Sequence, residues 1–234
     1  MIILQVELIE PAVKGTLNVL QASLAAKVKR VVVVSSGAAV TMNSSWPNDQ
    51  VKDETCWSDK ELQKKVKNWY GLSKTEAESA ALDFAKTSGL DVVTVCPTLV
   101  LGPMLQSTLN SSSMFLIRLL KEGHESRESK LQKIVDVRDV AEALLLAHEK
   151  AEAEGRYICV AHMLMATDLV ERLRSIYPHY NYPKSFTKGR EEPKMSSKKL
   201  QNLGWSYRSL EETLIDSIES HRTAGLVDWQ LKTR

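Results

Sequence analysis

Ten glycines are scattered over the 234 residues, and the two nearest, Gly89 and Gly102, stand 13 positions apart. No GxxGxxG turn can exist in this stretch, and with it goes the backbone cradle that brings a pyrophosphate to a helix N-terminus. Cysteine is equally sparse: Cys56, Cys96 and Cys159 are odd in number, widely spaced and never paired as CxxC. That argues against a disulfide framework and fits a reduced, cytoplasmic setting. An excess of one charge is missing as well, since 31 basic residues face 29 acidic ones for a formal charge of +2. Such a balance gives no global field to recruit nucleic acid or an anionic membrane. The longest aliphatic run that reads as a buried element, Val31 to Val34, is far short of a membrane span. The start MIILQVELIE has neither the basic region nor the small-residue cleavage site of a secretory signal. His124, His148, His162, His179 and His221 form no metal-ligand spacing, so no metal is expected.

What remains is an ordinary globular composition, 43% hydrophobic and 26% charged. The chain is long enough to bury a core as one large domain or as a main domain with a smaller lobe. Leu8, Ile9, Val13, Leu17, Leu20 and Leu24 recur at helical spacing, with Pro11 tolerable near the first turn. KRVVVVSSG reads as a strand covered on both faces and ending in small polar residues. The stretch up to about Lys65 reads as a long loop with at most a short helix, a feature that suggests function. A helix over about Asn68 to Thr87, a strand at Asp91 to Pro97, a loop TLVLGP and a helix over about Ser107 to Lys121 follow. Next are a strand near Lys133 to Val135, a helix over about Val137 to Lys150 and a strand at Arg156 to Ala161. Strands alternating with helices predict an α/β parallel sheet. Thr167 to Arg234 reads as mainly helical, with DLVERLRSIY and SLEETLIDSIESH as its amphipathic pieces.

One constellation carries chemistry. Tyr70 and Lys74 in KNWYGLSKTEAES are four apart on a helix and so share a face. An ammonium beside a phenol favours loss of the phenol's proton, the property acid/base work needs. The Ser35-Ser36 pair at the end of the first strand is placed to hold a carbonyl by its hydroxyl. A lone YxxxK occurs by chance in many helices. The order gives it weight: apolar strand, SSG, a gap of 34 positions from Ser36 to Tyr70, then a second apolar strand ending in CPT.

That order, together with EPAVKGTLNVL, RVVVVSSGAAV, DETCWSD, KNWYGLSKTEAE, CPTLVLGP, VDVRDVAEALLLAHE and GRYICVAH, resembles the extended short-chain dehydrogenase/reductases. Within them it is similar to the plant cinnamoyl-CoA reductase and dihydroflavonol 4-reductase group, over essentially the whole chain. The resemblance implies an NADP(H)-dependent oxidoreductase that reduces a phenylpropanoid or flavonoid-type carbonyl: a hydroxycinnamoyl-CoA thioester, an aldehyde or a ketone. Ser36, Tyr70 and Lys74 match the catalytic serine, tyrosine and lysine, with Tyr70 as general acid. Lys74 would also hold the nicotinamide ribose. Ser35, Pro97, Thr98 and Ser112 would join Tyr70 and Lys74 in contacting the cofactor, and Phe115 and Arg118 would meet substrate. The implied fold is an incomplete Rossmann-type doubly wound sheet with a smaller, mainly helical substrate lobe. Its expected division is 1–165 for the partial core, with a substrate-lobe insertion at about 104–130, and 166–234 for the lobe.

The family's glycine-rich turn belongs to a segment expected ahead of this chain, so NADP(H) binding here is a separate question from family membership. The strand at Val31 to Val34 would then form an exposed sheet edge, through which self-association is expected. Cinnamoyl-CoA reductases proper carry CYGK in the tyrosine motif and a histidine where Phe115 stands here, so an aldehyde or ketone substrate is implied as readily as a CoA thioester. A second reading is a truncated, non-catalytic form acting at most as an interaction protein. A third is a carbohydrate epimerase or dehydratase of the same superfamily.

Overall fold

A computed structural model describes residues 5–189 and 192–227. The chain forms two compact units. The first comprises Met1–Thr98, Val140–Val160 and Pro193–Ser206, and the second Leu99–Asp139, Ala161–Glu192 and Tyr207–Arg234.

The first unit is built on three parallel strands, β1 (Arg30–Val34), β2 (Asp91–Pro97) and β6 (Gly155–Cys159), in the order β1-β2-β6. The central strand β2 is buried from Val92 to Pro97, as its continuous β-branched run requires. A π-helical turn at Gln5–Ile9 leads into helix α1 (Glu10–Ala25), and Pro11 stands at the junction of the two, where the backbone hydrogen-bond pattern changes. Leu20 of α1 packs with Ala81, Leu90 and Val92, and Val31, Val33 and Phe84 lie against them. Ala81 and Phe84 belong to α4 (Trp69–Ser88), the long helix that carries the YxxxK motif. Its start is capped by Asn68, whose side chain accepts from the Gly71 N–H at 3.0 Å. It stops at Gly89, whose positive φ of 74° closes the helix in the left-handed conformation glycine adopts freely.

Between β1 and α4 the expected long loop carries only two short helices, α2 (Ala38–Thr41) and α3 (Lys60–Lys65). The loop is fastened by a parallel bridge between Lys52 and Met195, and Asp59 caps α3 by accepting from Glu61 and Leu62. Helix α8 (Lys198–Asn202) completes this unit.

The second unit holds β3 (Leu99–Leu101), β5 (Leu131–Asp136) and β7 (His162–Met165) in the order β3-β5-β7. Strand β3 runs parallel to β5 and β7 antiparallel to it, so the parallel rule fails at this one edge. A two-stranded parallel pair joins β4 (Arg127–Ser129) to β8 (Phe186–Lys188). Helices α5 (Ser111–Lys121), α7 (Ala166–Ile176) and α9 (Leu210–Thr223) enclose an apolar cluster in which Leu116, Leu119, Leu120, Ile134, Leu169, Leu173, Leu214 and Ile218 are buried. Helix α6 (Val137–Glu149) begins in this unit and continues into the first.

The expectation of a loop at TLVLGP is corrected: Leu99, Val100 and Leu101 pair with Ile134, Val135 and Asp136. Three apolar residues between Thr98 and Gly102 suffice for a strand when a partner edge is available, and no periodicity announces it. Helix α5 starts later than Ser107, because Asn110 accepts from the Ser113 N–H at 2.8 Å and fixes the first turn there. In the tail, α7 and α9 match the two amphipathic pieces, β8 adds a strand, and residues 228–234 lie outside the described residues. Among the described residues no helix is long and apolar enough to cross a membrane.

Candidate active site

The strand end that follows Val34 is tied down by the backbone of β2. The Ser35 N–H donates to the Val95 carbonyl at 2.8 Å and the Gly37 N–H to the Pro97 carbonyl at 2.7 Å. The approach is close: a Cβ on Gly37 would sit 2.9 Å from Thr98 Cγ2 and 3.4 Å from the Pro97 oxygen. A larger residue would push the serine turn off β2, so SSG requires its glycine for contact rather than for φ. Ser35, Ser36, Pro97 and Thr98 are thereby gathered at the carboxyl ends of β1 and β2, where open α/β sheets bind ligands. Thr98 is itself held by its hydroxyl to the Cys159 carbonyl at 3.4 Å.

Helix α4 reaches the same place. Lys74 Nζ donates to the Val34 carbonyl at 3.4 Å, which puts the ammonium beside the residue that precedes the two serines. Tyr70, one turn earlier, is 57% exposed, and its hydroxyl has no hydrogen-bond partner among the described residues. The Ser36 Oγ accepts from the Ala38 N–H at 3.1 Å, which leaves its own proton uncommitted. Two hydroxyl donors and an ammonium with one long contact therefore have spare capacity at this strand end.

Beneath them lies a polar node that motif reading did not single out. Glu78, a further turn along α4, is 1% exposed. Its carboxylate accepts from Ser35 Oγ at 2.7 Å, Thr94 Oγ1 at 2.7 Å, Cys96 Sγ at 3.3 Å and Arg156 Nε at 2.8 Å. Arg156 also donates to the carbonyls of Glu54 and Cys56 at 2.8 and 2.9 Å, and its guanidinium stacks 3.6 Å from the centre of the Trp57 ring. DETCWSD is thus clasped to β6, a role its sequence alone did not disclose. The available clue was spacing, since 70, 74 and 78 continue one helical face. Burial pushes the Cys96 thiol well above its ordinary range and the Glu78 carboxylate adds to the effect, so Cys96 is a neutral, inert packing group.

The remaining candidates belong to the second unit. Ser112 is half-buried in the first turn of α5. Phe115 packs against the apolar cluster with Arg127 5.3 Å from its ring centre, and Arg118 projects outward and pairs with Glu122 at 3.4 Å. An open cavity of about 320 Å³ is lined by Leu101, Gly102, Pro103, Met104, Asn110 and Ser113 among others, while Ser112 is not part of its wall. The charged residues of VDVRDVA cap and tie, as their type suggests. Asp136 accepts from the Arg138 N–H at 2.8 Å and from the Arg138 side chain, while Asp139 accepts from the Arg208 N–H at 2.9 Å. Burial alone would raise the Asp136 pKa, but the hydrogen bonds from Arg138 outweigh it and hold the carboxyl below its usual value.

A parallel-stranded α/β core with a serine turn at one strand end and a YxxxK helix beside it defines a class, and the chain belongs to the NAD dependent epimerase/dehydratase family, whose match spans residues 3–161. Among curated proteins it is similar to cinnamoyl-CoA reductase 1 of Petunia hybrida, with 40% identity over 223 residues, 94% of this chain and 67% of that protein. Among solved structures it resembles vestitone reductase from alfalfa (Medicago sativa), with a TM-score of 0.82 and 30% identity over 94% of this chain and 73% of that one. It also resembles Gre2 from Candida albicans in complex with NADPH, with a TM-score of 0.80 and 28% identity over 94% of this chain and 72% of that one. The chain spans about two thirds of the length of the curated cinnamoyl-CoA reductases it matches.

Proposed function

We propose that the chain is an NADP(H)-dependent carbonyl reductase of the cinnamoyl-CoA reductase-like group, acting on a hydroxycinnamoyl-CoA thioester, an aldehyde or a flavonoid ketone. The observation that carries this reading is the set of uncommitted donors at the β1 end: the Ser36 and Tyr70 hydroxyls and the Lys74 ammonium. Such a set fits a carbonyl oxygen and a ribose hydroxyl, both of which accept hydrogen bonds. The kinship with cinnamoyl-CoA reductase 1 and with an NADPH-bound Gre2 supports the choice of cofactor and substrate class.

NADPH, held at its ribose by Lys74 and bordered by Pro97 and Thr98, would supply hydride for the carbonyl carbon. Tyr70 gives its phenolic proton to the oxygen as charge develops there. Ser36 donates a hydrogen bond to the same oxygen and so lowers the energy of that charge. Lys74 balances the phenolate left on Tyr70 and holds the ribose. Pro97 and Thr98 belong to the cofactor wall, while the Ser35 hydroxyl is committed to Glu78.

The test begins with titration of the purified chain with NADPH and continues with turnover of hydroxycinnamoyl-CoA thioesters, aldehydes and dihydroflavonols. Tyr70→Phe should lower kcat by about 10²- to 10⁴-fold, the usual worth of a positioned acid, with NADPH affinity nearly unchanged. Turnover retained in Tyr70→Phe overturns the mechanism. A folded chain with no saturable NADPH binding overturns the function and favours the non-catalytic reading.

A further inference from the structure

We infer that Glu78 is a positioning residue for the reaction proposed above, an inference that rests on that reading: its buried carboxylate fixes the serine turn against the tyrosine-lysine helix. Tyr70, Lys74 and Glu78 stand at four-residue intervals on α4 and so project along one face of it. The last two pin consecutive residues of the strand end. Lys74 holds the Val34 carbonyl at 3.4 Å and Glu78 holds the Ser35 hydroxyl at 2.7 Å. Ser36 comes next in the chain, and its Oγ makes a single local hydrogen bond, from the Ala38 N–H. The backbone bonds of Ser35 and Gly37 fix the turn to β2, and these two side-chain ties fix it to α4, so the place of Ser36 relative to Tyr70 depends on them.

The node's composition supports a geometric role over a stabilising one. A carboxylate with a side chain 0% exposed and a guanidinium 6% exposed have both left water, and well-packed apolar residues would stabilise such a site as well or better. What apolar residues cannot do is fix direction. Glu78 receives donors from the end of β1, from β2 through Thr94 and Cys96, and from β6 through Arg156, so three strands and one helix are indexed to a single group. Arg156 extends the same indexing to the carbonyls of Glu54 and Cys56. Displacements of about 1 Å in a reacting group can cost about a hundredfold in rate, which is the scale on which such fixing matters.

Glu78→Gln would strip Arg156 of its carboxylate and put folding itself at stake, so the test compares two milder variants. Ser35→Ala and Thr94→Val each remove one hydrogen bond to the same carboxylate and no charge, but only the first releases the serine turn. With melting temperatures measured as the check on structural damage, Ser35→Ala should lower kcat by about tenfold or more while KM for NADPH stays within about twofold, and Thr94→Val should cost kcat less than about threefold. Amide hydrogen exchange at Ser36 to Ala39 should accelerate by about tenfold in Ser35→Ala and not in Thr94→Val. Equal kcat losses in the two variants overturn the inference. So does a rise in KM for NADPH with kcat preserved, which would make Ser35 a cofactor contact. If the unaltered chain turns over no carbonyl with NADPH, the functional reading fails on its own, and the exchange comparison alone decides whether Glu78 holds the turn.

Discussion

Glu78 in the first unit and His221 in the second are equally hidden, each 1% exposed, yet they sit in opposite circumstances. The Glu78 carboxylate is surrounded by donors from Ser35, Thr94, Cys96 and Arg156. Neither ring nitrogen of His221 has a partner among the described residues. The cost of burying a polar group is set by whether its hydrogen bonds are replaced and only secondarily by depth. The first unit thus holds a buried charge enclosed by donors, while the second, beside its hydrogen-bonded Asp136 and Asp139, holds a buried imidazole without a partner among the described residues. Burial accordingly pulls the His221 pKa down, since only the neutral ring is tolerated without a partner.

The contrast can be broken most forcefully at Glu78. Glu78→Gln should destabilise the first unit by about 3–5 kcal/mol, because it leaves a buried guanidinium without its counter-charge, and denaturant melts would show it. A loss under about 1 kcal/mol would mean that Arg156 is satisfied by the Glu54 and Cys56 carbonyls and Trp57 alone. Next in size, Leu173→Ala in the apolar cluster should cost about 2–5 kcal/mol through the cavity it leaves. His221→Leu should instead stabilise the second unit, by about 1–3 kcal/mol, through removal of two unmet polar atoms.

The same histidine makes a pH prediction whose sign follows from linkage. The unfolded imidazole takes up a proton near pH 6.5, and the folded one does so only at lower pH. The unfolded chain therefore binds more protons in that window, and stability falls as pH drops below about 6.5, by at most about 1.4 kcal/mol per pH unit for one group. In His221→Leu that part of the slope should vanish. An unchanged slope would assign it to other groups. The smallest effect belongs to the exposed pair of Lys14 with Glu10 at 3.3 Å, where Lys14→Ala should leave the denaturation midpoint unmoved.

The elements that framed the site were legible because their signals are local. Four consecutive valines made β1 evident, Asp91 to Pro97 made β2 evident, and the spacing of Tyr70 and Lys74 marked α4 as a helix with a purposeful face. Strands β3, β4, β7 and β8 span three or four residues each, too short for any alternation to register. Arg222 stacks on Tyr177 and Tyr180, with centroid distances of 4.6 and 5.8 Å, a contact across more than 40 positions that no local pattern marks. The Glu78 node stayed hidden for a different reason. A glutamate in a charged helical stretch reads as solvated, and its partner Arg156 lies 78 positions away. Nothing in one sequence announces that the two meet.

The clasp of Glu54, Cys56 and Trp57 on Arg156, and of Arg156 on Glu78, has a practical consequence for recombining this chain with its relatives. A chimaera whose crossover separates DETCW from RYIC, or either from the tyrosine helix, inherits one parent's carboxylate and the other parent's surroundings for it. Crossovers placed after RYIC, at 161–189 or in the Pro193 to Ser206 segment, spare that arrangement, and libraries built on them should yield a larger share of soluble, ordered products.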